Sequence, residues 1–229
     1  MDLETHAQLA SGPSAGNWSE LPHDILTSIF VKLGAIEILM GAGLMCHSWL
    51  EAMLPDSWRS VDMEHYSSLK INEYDLYHMA QVAIERSCGQ LEAFTGKGFV
   101  IDEILQYISD RSSTSIKKLG LVSCHAVTKE GFAQFITQCP LLEDLSLEYC
   151  EQINAHETYE VTGKACVHLK HFTLAGWCKR GAALGIAAMG NLQNLSLVRI
   201  DVENDELAAI IDSCPHLETI CAGLRQFCP

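Results

Sequence analysis

The chain has 229 residues, of which 48% are hydrophobic and 19% are charged, so it can build a sizeable core and does not resemble a disordered polypeptide. Its formal net charge of −14 at pH 7 is opposite in sign to the basic footprint that holds nucleic-acid phosphates or anionic lipids. We therefore expect neither nucleic acid nor a membrane surface as the partner. No run approaches the roughly 20 apolar residues of a membrane span.

Residues 1–17 are rich in small and polar residues and read as a flexible leader without the basic start and apolar centre of a signal peptide. We therefore expect the protein in the cytoplasm, the nucleus or both. The ten cysteines would then be reduced, and none is spaced C-x-x-C. We interpret them as small buried hydrophobes and expect no metal, since Cys46-His47 and Cys166-x-His168 would need distant co-ligands.

Residues 18–63 read as three short helices. Ser19 is a suitable N-cap, Pro22 fits a first helical turn, and Gly34 is expected to end the first helix as a C′ glycine. The third helix ends before Pro55. The apolar residues at helical spacing are Ile25, Leu26, Ile29, Phe30, Leu33, Ile36, Ile38, Leu39, Met40, Leu44, Met45, Trp49, Leu50 and Met53. A segment this short cannot bury so much apolar surface within itself, so we expect a partner protein to cover the surplus.

An internal repeat occupies the rest of the chain. The phrase L-x-x-L-x-L-x-x-C/N, or a weaker form of it, starts at residues 91, 116, 142, 169, 192 and 217, in steps of 25, 26, 27, 23 and 25. That step lies within the 20–29 residues of leucine-rich repeats. Phrase positions one, four and six should point inward, and Cys124 and Cys150, at position nine, should lie under the turn after the strand. A helical pattern follows each phrase, so the units should stack into a solenoid.

Residues 64–90 connect the two parts and contain apolar residues at helical spacing between Asp75 and Ile84, so we expect a packed linker helix and a rigid junction. Before it, residues 58–63 resemble an irregular first strand. We assign residues 91–229 to about six repeats. The last of them looks incomplete, because Pro229 comes soon after a phrase begins without a polar cap.

Segment 18–63 resembles the F-box. The matching features are, in order, Leu21-Pro22, Asp24-Ile25-Leu26, Ile29-Phe30, Leu33, Ile38-Leu39, Cys46-x-x-Trp49 and Trp58-Arg59. From about residue 18 to 225 the chain is similar to plant F-box proteins with cysteine-type leucine-rich repeats, the Skp-interacting F-box/LRR group. The resemblance implies an α/β repeat fold, in which a three-helix F-box precedes a short right-handed solenoid with strands on its concave face and helices on its convex face.

The resemblance also implies a function. Proteins of this kind are substrate receptors of SCF (Skp–cullin–F-box) ubiquitin ligases. The F-box would bind a Skp-family adaptor and, through it, cullin, while the repeats would bind a protein substrate of unknown identity. By resemblance, adaptor binding falls on Leu21, Pro22, Ile25, Leu26, Ile29, Leu33, Ile38, Leu39 and Trp49. Each of these residues could instead belong to the core of the segment itself, because the sequence does not separate inward from outward faces.

The substrate face should be formed by strand residues between the leucines. The candidates are Lys118, Asp144, Ser146, Glu148, Tyr149, His171, Thr173, Asn194, Ser196 and Arg199. Gly120, Val122 and Val198 should accompany them on this face. Five or six strands spaced by about 4.8 Å would give a face on the order of 25 Å long. Its mixed charge and small hydroxyl residues name no ligand class, and any one residue could be plain solvated surface.

Signatures of catalysis are weak. Thr95-Gly96-Lys97-Gly98 lacks the leading glycine and the Ser/Thr of a phosphate-binding loop, and there is no G-x-S-x-G motif. We therefore expect a non-catalytic receptor subunit without a cofactor. Two alternatives stay open. One is a leucine-rich-repeat scaffold that binds a partner, or competes for the adaptor, without ubiquitination. The other is small-molecule sensing, which would need a deep pocket.

Overall fold

The computed structural model describes residues 21–30, 32–41, 55–65, 71–178 and 180–223. The predicted leader and the predicted third helix of segment 18–63 lie outside these ranges. Two short helices come first, α1 (His23–Phe30) and α2 (Ala35–Met40), and a 3-10 turn at Pro55–Trp58 leads into the first strand. Gly34 is extended, with φ of −71°, and is the N-cap of α2, so the expected left-handed C′ glycine is not formed there.

Strands and helical segments then alternate along the chain. The strands are β1 (Ser60–Met63), β2 (Ala93–Lys97), β3 (Lys118–Val122), β4 (Asp144–Glu148), β5 (His171–Ala175), β6 (Asn194–Val198) and β7 (Thr219–Gly223). The α-helices are α3 (Glu73–Arg86), α4 (Asp102–Ser112), α5 (Lys129–Gln138), α6 (His156–Ala165) and α7 (Asn204–Ser213), and a 3-10 helix at Ala182–Ala188 takes the helical place between β5 and β6.

The seven strands found in the described ranges form one parallel sheet in chain order. From β2 onward, the first residue of each strand lies opposite the first residue of the next, and this in-phase register continues to the fifth residue. Such a register is expected when units of nearly equal length stack on one another. The predicted fold class, an α/β leucine-rich-repeat solenoid, is thereby confirmed.

The sheet begins one strand before the six phrases, and this strand, β1, lies within residues 58–63, where an irregular first strand was predicted. In β1, Ser60 pairs with Ala93 and Met63 with Gly96. Strand β1 lies inside the range predicted for the F-box, and α3 lies inside the range predicted as a linker. Together they form the first strand–helix unit of the solenoid. The helix of this unit is fixed by the Asn72 side chain, which accepts the Asp75 backbone N–H as an N-cap.

The core runs along the inner side of the strands. Phrase positions one, four and six are fully buried in the repeat that begins at residue 142, where they are Leu142, Leu145 and Leu147. Phe132 and Phe135 of α5 face the same core. Burying each such side chain stabilises the fold by about 1.5–3 kcal/mol, which a single unit could not achieve without its neighbours.

A left-handed residue follows every strand from β2 to β6. The φ angles are +79° at Gly98, +52° at Ser123, +55° at Tyr149, +107° at Gly176 and +57° at Arg199. The backbone N–H of each of these residues donates to the carbonyl of the last residue of the next strand, at 2.7–3.2 Å. A left-handed conformation costs a non-glycine residue about 1–2 kcal/mol, so these inter-unit hydrogen bonds hold the turns against that cost.

The cysteines of the repeats occupy two structural positions. Cys124 and Cys150 lie buried under the turns after β3 and β4, as predicted, and the Cys150 thiol donates to the Leu121 carbonyl of the neighbouring strand. Cys139, Cys166 and Cys214 are the buried C-caps of three helices. The interpretation as small buried hydrophobes therefore holds for these five, whereas Cys88 is exposed and Cys178 and Cys221 are half-buried.

Candidate interaction surfaces

Helices α1 and α2 divide their apolar side chains between the solenoid and solvent. Helix α2 contacts β1 and α3, and Ala35, Ile36 and Ile38 are buried there with Trp58. In contrast, Ile25 is 46% exposed and Met40 is 48% exposed. This short segment thus caps the first unit of the solenoid and still presents apolar surface.

The nine predicted adaptor-binding residues have different environments. Pro22 and Ile25 are exposed, and Ile29 is half-buried. Leu21, Leu33 and Leu39 are partly buried and pack against the core. Ile38 is only 2% exposed, so it fixes α2 on the solenoid and does not offer its side chain to a partner. Trp49 and the side chain of Leu26 lie outside the described part of the chain. Met40 is not among the residues that the resemblance to the F-box implies, and a two-turn helix has too few residues to indicate which face is exposed.

The ten predicted substrate-face residues are brought together on one face of the sheet. They occupy the first, third and fifth places of β3 to β6, or the left-handed place directly after a strand. Lys118, His171 and Arg199 are exposed, and the other seven are half-buried. Gly120 and Val122 were also expected to be open, but both are buried, and Val122 is 8% exposed. With seven strands about 4.8 Å apart, the strand stack is about 29 Å long.

Polar side chains on this face pair with their neighbours across the strands. Lys118 Nζ lies 3.0 Å from Asp144 Oδ2, and Asn194 Nδ2 lies 3.0 Å from His171 Nδ1. Between these pairs and the left-handed turns runs a row of small residues, occupied in order by Thr95, Gly120, Ser146, Thr173 and Ser196. From β2 to β6 the centre of the face is therefore lined by small uncharged residues, with charged groups along its two margins, whereas β1 places Asp62 in the same row.

Charged residues at phrase position two, just before the strands, alternate in sign between neighbouring units, and we call this row the charge ladder. Arg59 Nη1 lies 3.1 Å from Glu92 Oε1, and Lys117 Nζ lies 3.3 Å from Glu92 Oε2. Lys170 Nζ donates to Glu143 Oε2 at 2.7 Å, and this hydrogen bond lowers the pKa of Glu143. Each residue thus faces an opposite charge on the neighbouring unit. The sequence already contains this pattern, because the charge of the residue at phrase position two alternates in sign from Glu92 to Lys117, Glu143 and Lys170.

Of the residues considered for catalysis or metal binding, Cys46 and His47 lie outside the described part of the chain, and those that the structure describes lie in the repeats. Thr95, Gly96 and Lys97 lie within β2, paired with strands on both sides, and do not form a loop that could surround a phosphate. Burial raises the pKa of Cys166 to about 12, which keeps its thiol protonated, whereas His168 is exposed to solvent. Within the described ranges, no helix is both long and apolar enough to cross a bilayer.

A parallel sheet of stacked strand–helix units with an open polar face defines the class of leucine-rich-repeat proteins. Sequence similarity to three Arabidopsis thaliana proteins indicates which leucine-rich-repeat family the chain resembles. The chain is 35% identical over 221 residues to F-box/LRR-repeat protein 23, covering 92% of the chain and 48% of that protein. It is 34% identical over 220 residues to F-box/LRR-repeat protein 9, covering 92% and 87%. It is 35% identical over 207 residues to F-box protein SKIP19, covering 88% and 67%.

The chain belongs to the plant F-box/LRR-repeat family. It spans about half the length of F-box/LRR-repeat protein 23 and most of the length of F-box/LRR-repeat protein 9. No family model matches the chain.

Solved structures also resemble the chain. The yeast Rad7–Elc1 complex matches with a TM-score of 0.46 and 14% identity, over 87% of this chain and 40% of the matched chain. The leucine-rich-repeat-containing protein LegL7 of Legionella pneumophila matches with a TM-score of 0.47 and 13% identity, over 88% and 70%.

Proposed function

We propose that the chain is the substrate-recognition subunit of an SCF E3 ubiquitin ligase. In this role the α1–α2 segment binds a Skp-family adaptor, which connects it to cullin, and the repeats bind the protein to be ubiquitinated. Membership of the plant F-box/LRR-repeat family supports the class of function. The receptor contributes no bond-making residue. It raises the effective concentration of a substrate lysine near the ubiquitin-conjugating enzyme.

The observation that carries the proposal is the divided burial of the α1–α2 segment. Ile36 and Ile38 belong to the solenoid core, yet Ile25 and Met40 are about half exposed, next to the exposed Pro22. An apolar helix face that fits a partner's groove is a common mode of recognition. We place the adaptor contact on Pro22, Ile25 and Met40, with the partly buried Leu21, Ile29, Leu33 and Leu39 supporting them.

A co-purification experiment tests this proposal with a matched control. Ile25→Glu places a charge at the proposed contact, and Ile211→Glu places one on α7, where Ile211 is similarly exposed at 49%. Both positions are open to solvent, so neither change should prevent folding. We expect wild type and Ile211→Glu to capture a purified Skp-family adaptor and cullin. Ile25→Glu, and the double variant Leu21→Ala with Pro22→Ala, should lose at least about tenfold of this binding.

Two outcomes would count against the proposal. Undiminished capture by Ile25→Glu and by the double variant would show that the adaptor contact lies elsewhere. Capture of the adaptor without cullin would favour a competitor that occupies the adaptor without assembling a ligase.

A further inference from the structure

The unit containing β5 departs from its neighbours at the residue that completes the turn after the strand. This residue is at phrase position nine, where Phe99, Cys124 and Cys150 are at most 3% exposed. In the β5 unit the same position holds Trp177, which is 83% exposed. An exposed tryptophan leaves a large apolar surface in water, and tryptophan is enriched among the residues that contribute most to binding in protein interfaces.

The outward position of Trp177 is fixed by its neighbours. Gly176 has a φ of +107°, which lies further from the common left-handed region than the φ angles of Ser123 and Tyr149. A Cβ on Gly176 would also lie 2.9 Å from the Tyr149 ring, so a larger residue does not fit there. Asn154, which is 3% exposed, donates from Nδ2 to the Trp177 carbonyl at 2.8 Å. The buried Asn154 Oδ1 has no hydrogen-bond partner among the residues that the structure describes. A buried side chain therefore holds the turn that presents the indole.

Two cavities meet at Trp177. One of about 600 Å³ is lined by Gly176, Trp177, Cys178, Arg180, Arg199, Asp201 and Glu203. The other, of about 400 Å³, is lined by Glu151, Asn154, Trp177, Cys178 and Arg180. We call them together the Trp177 cleft. It lies at the carboxyl ends of β4 to β6, where Arg199 Nη1 donates to Tyr149 Oη at 3.5 Å, and so continues the proposed substrate face.

The charges of the cleft favour a cationic ligand. Arg180 is ion-paired with Glu203, and this contact, with further attraction from Asp205 and Glu206, raises the pKa of Arg180. Its positive charge is therefore compensated within the protein. Among the described residues that line the cleft, Glu151, Asp201 and Glu203 are acidic and Arg180 and Arg199 are basic, so the acidic groups outnumber the basic ones. With Arg180 paired to Glu203, Glu151 and Asp201 face the single remaining guanidinium of Arg199, which leaves an excess of negative charge for a cationic ligand.

We infer that the Trp177 cleft receives a lysine or arginine side chain of the protein that the repeats bind. The cation lies over the indole face, where tryptophan is the best aromatic partner, and Glu151 or Asp201 supplies the counter-charge. The net charge of −14 attracts such a basic segment from a distance. This inference rests on the proposed function, because it takes the ligand of the repeats to be a protein.

Synthetic peptides test this assignment. The immobilised full chain is offered labelled 12-residue peptides with randomised small flanking residues and a central arginine, lysine, glutamine, glutamate or phosphoserine. We expect arginine and lysine peptides to bind about tenfold more tightly than the glutamine peptides. Trp177→Ala should abolish this preference. Tyr74→Ala, which removes an aromatic side chain 71% exposed on α3, should leave it unchanged.

A second pair of variants tests whether the negative charge of the cleft, and not only its shape, contributes to binding of the basic peptides. Asp201→Asn should weaken binding of the basic peptides and flatten its dependence on salt, whereas the exposed Asp212→Asn on α7 should change neither. Equal binding of all five peptide classes, a preference for glutamate or phosphoserine, or an unchanged preference in Trp177→Ala would overturn the inference. Adaptor capture by Trp177→Ala is measured in parallel, so that failure of the cleft is distinguished from failure of the proposed receptor function.

Discussion

At the scale of single residues, the left-handed positions after the strands determine how neighbouring units join. Five successive units place the same backbone N–H into the neighbouring strand, although three of these positions hold Ser123, Tyr149 and Arg199 instead of glycine. At Tyr149 and Arg199 the side chains contact each other across Gly176, so interactions of the side chains offset the backbone cost. No side-chain hydrogen bond of this kind joins Ser123 to another residue that the structure describes, which makes Ser123 the clearest position at which to measure that cost.

Ser123→Gly should therefore stabilise the protein. Glycine adopts φ of +52° without the steric cost that serine has there. Glycine also loses more conformational entropy on folding, so the net gain in the free energy of unfolding should be about 0.5–1 kcal/mol. Ser113→Gly is the matched control, because Ser113 is a helix C-cap with φ of −56° and should lose stability. Urea unfolding followed by circular dichroism measures both. A loss of equal size in the two variants would contradict the account.

At the scale of elements, the 3-10 helix at Ala182–Ala188 packs unusually closely on α6. A Cβ on Gly163 would lie 2.4 Å from the Ala188 carbonyl carbon, and one on Gly185 would lie 2.3 Å from the His156 carbonyl oxygen. Residues 176–191 are rich in glycine and alanine, and this composition alone would favour a loosely packed unit. The structure instead uses these small residues to bring two backbones together, because a full α-helix with large side chains would not fit.

Gly163→Ala distinguishes packing from helix propensity, because the two effects change the stability of the protein in opposite directions. Alanine in the middle of α6 should add about 1 kcal/mol of helix propensity, but the clash with backbone atoms should cost about 1–3 kcal/mol and give a net loss of stability. Gly190→Ala, whose added Cβ would be 3.6 Å from the Ser213 oxygen, should be nearly neutral. Thermal unfolding of the two variants gives the comparison. Stabilisation by Gly163→Ala would contradict the close approach.

The charge ladder should also contribute to the stacking of units. Lys117→Glu would place a third carboxylate beside Glu92 and Glu143 and should lower the free energy of unfolding by about 1 kcal/mol in dilute buffer. Added salt at 1 M should remove most of this loss, because these groups are near the surface. Lys129→Glu, in the first turn of α5, lies at an end where acidic residues are favourable and should show no such loss. A loss in Lys117→Glu that salt does not change would indicate a packing effect.

At the scale of the whole molecule, the repeat period made the fold predictable. Steps of 23–27 residues with leucine at fixed places indicate stacked strands, and the in-phase register follows from them. Side-chain direction was harder to predict in the short helices, where Ile38 turned inward and Ile25 outward, because two turns of helix carry little periodicity. Trp177 could not be predicted either, since its exposure depends on the φ of Gly176 and on a hydrogen bond from Asn154, 23 residues away.

The two proposed surfaces lie at different places along the solenoid. The α1–α2 segment contacts the first unit, and the Trp177 cleft is formed by the turns after β5 and β6 together with the turn after β4. A receptor of this design would bind its adaptor and its substrate without competition between them. Variants at one surface should therefore leave binding at the other unchanged.

Titration of the purified chain with a purified Skp-family adaptor, followed by calorimetry, tests the central claim most directly. We predict saturable one-to-one binding by wild type and Trp177→Ala with the same affinity, and a loss of at least about tenfold for Ile25→Glu. Absence of adaptor binding by the folded wild-type chain, or full affinity in Ile25→Glu, would contradict the assignment of the α1–α2 segment as the adaptor contact.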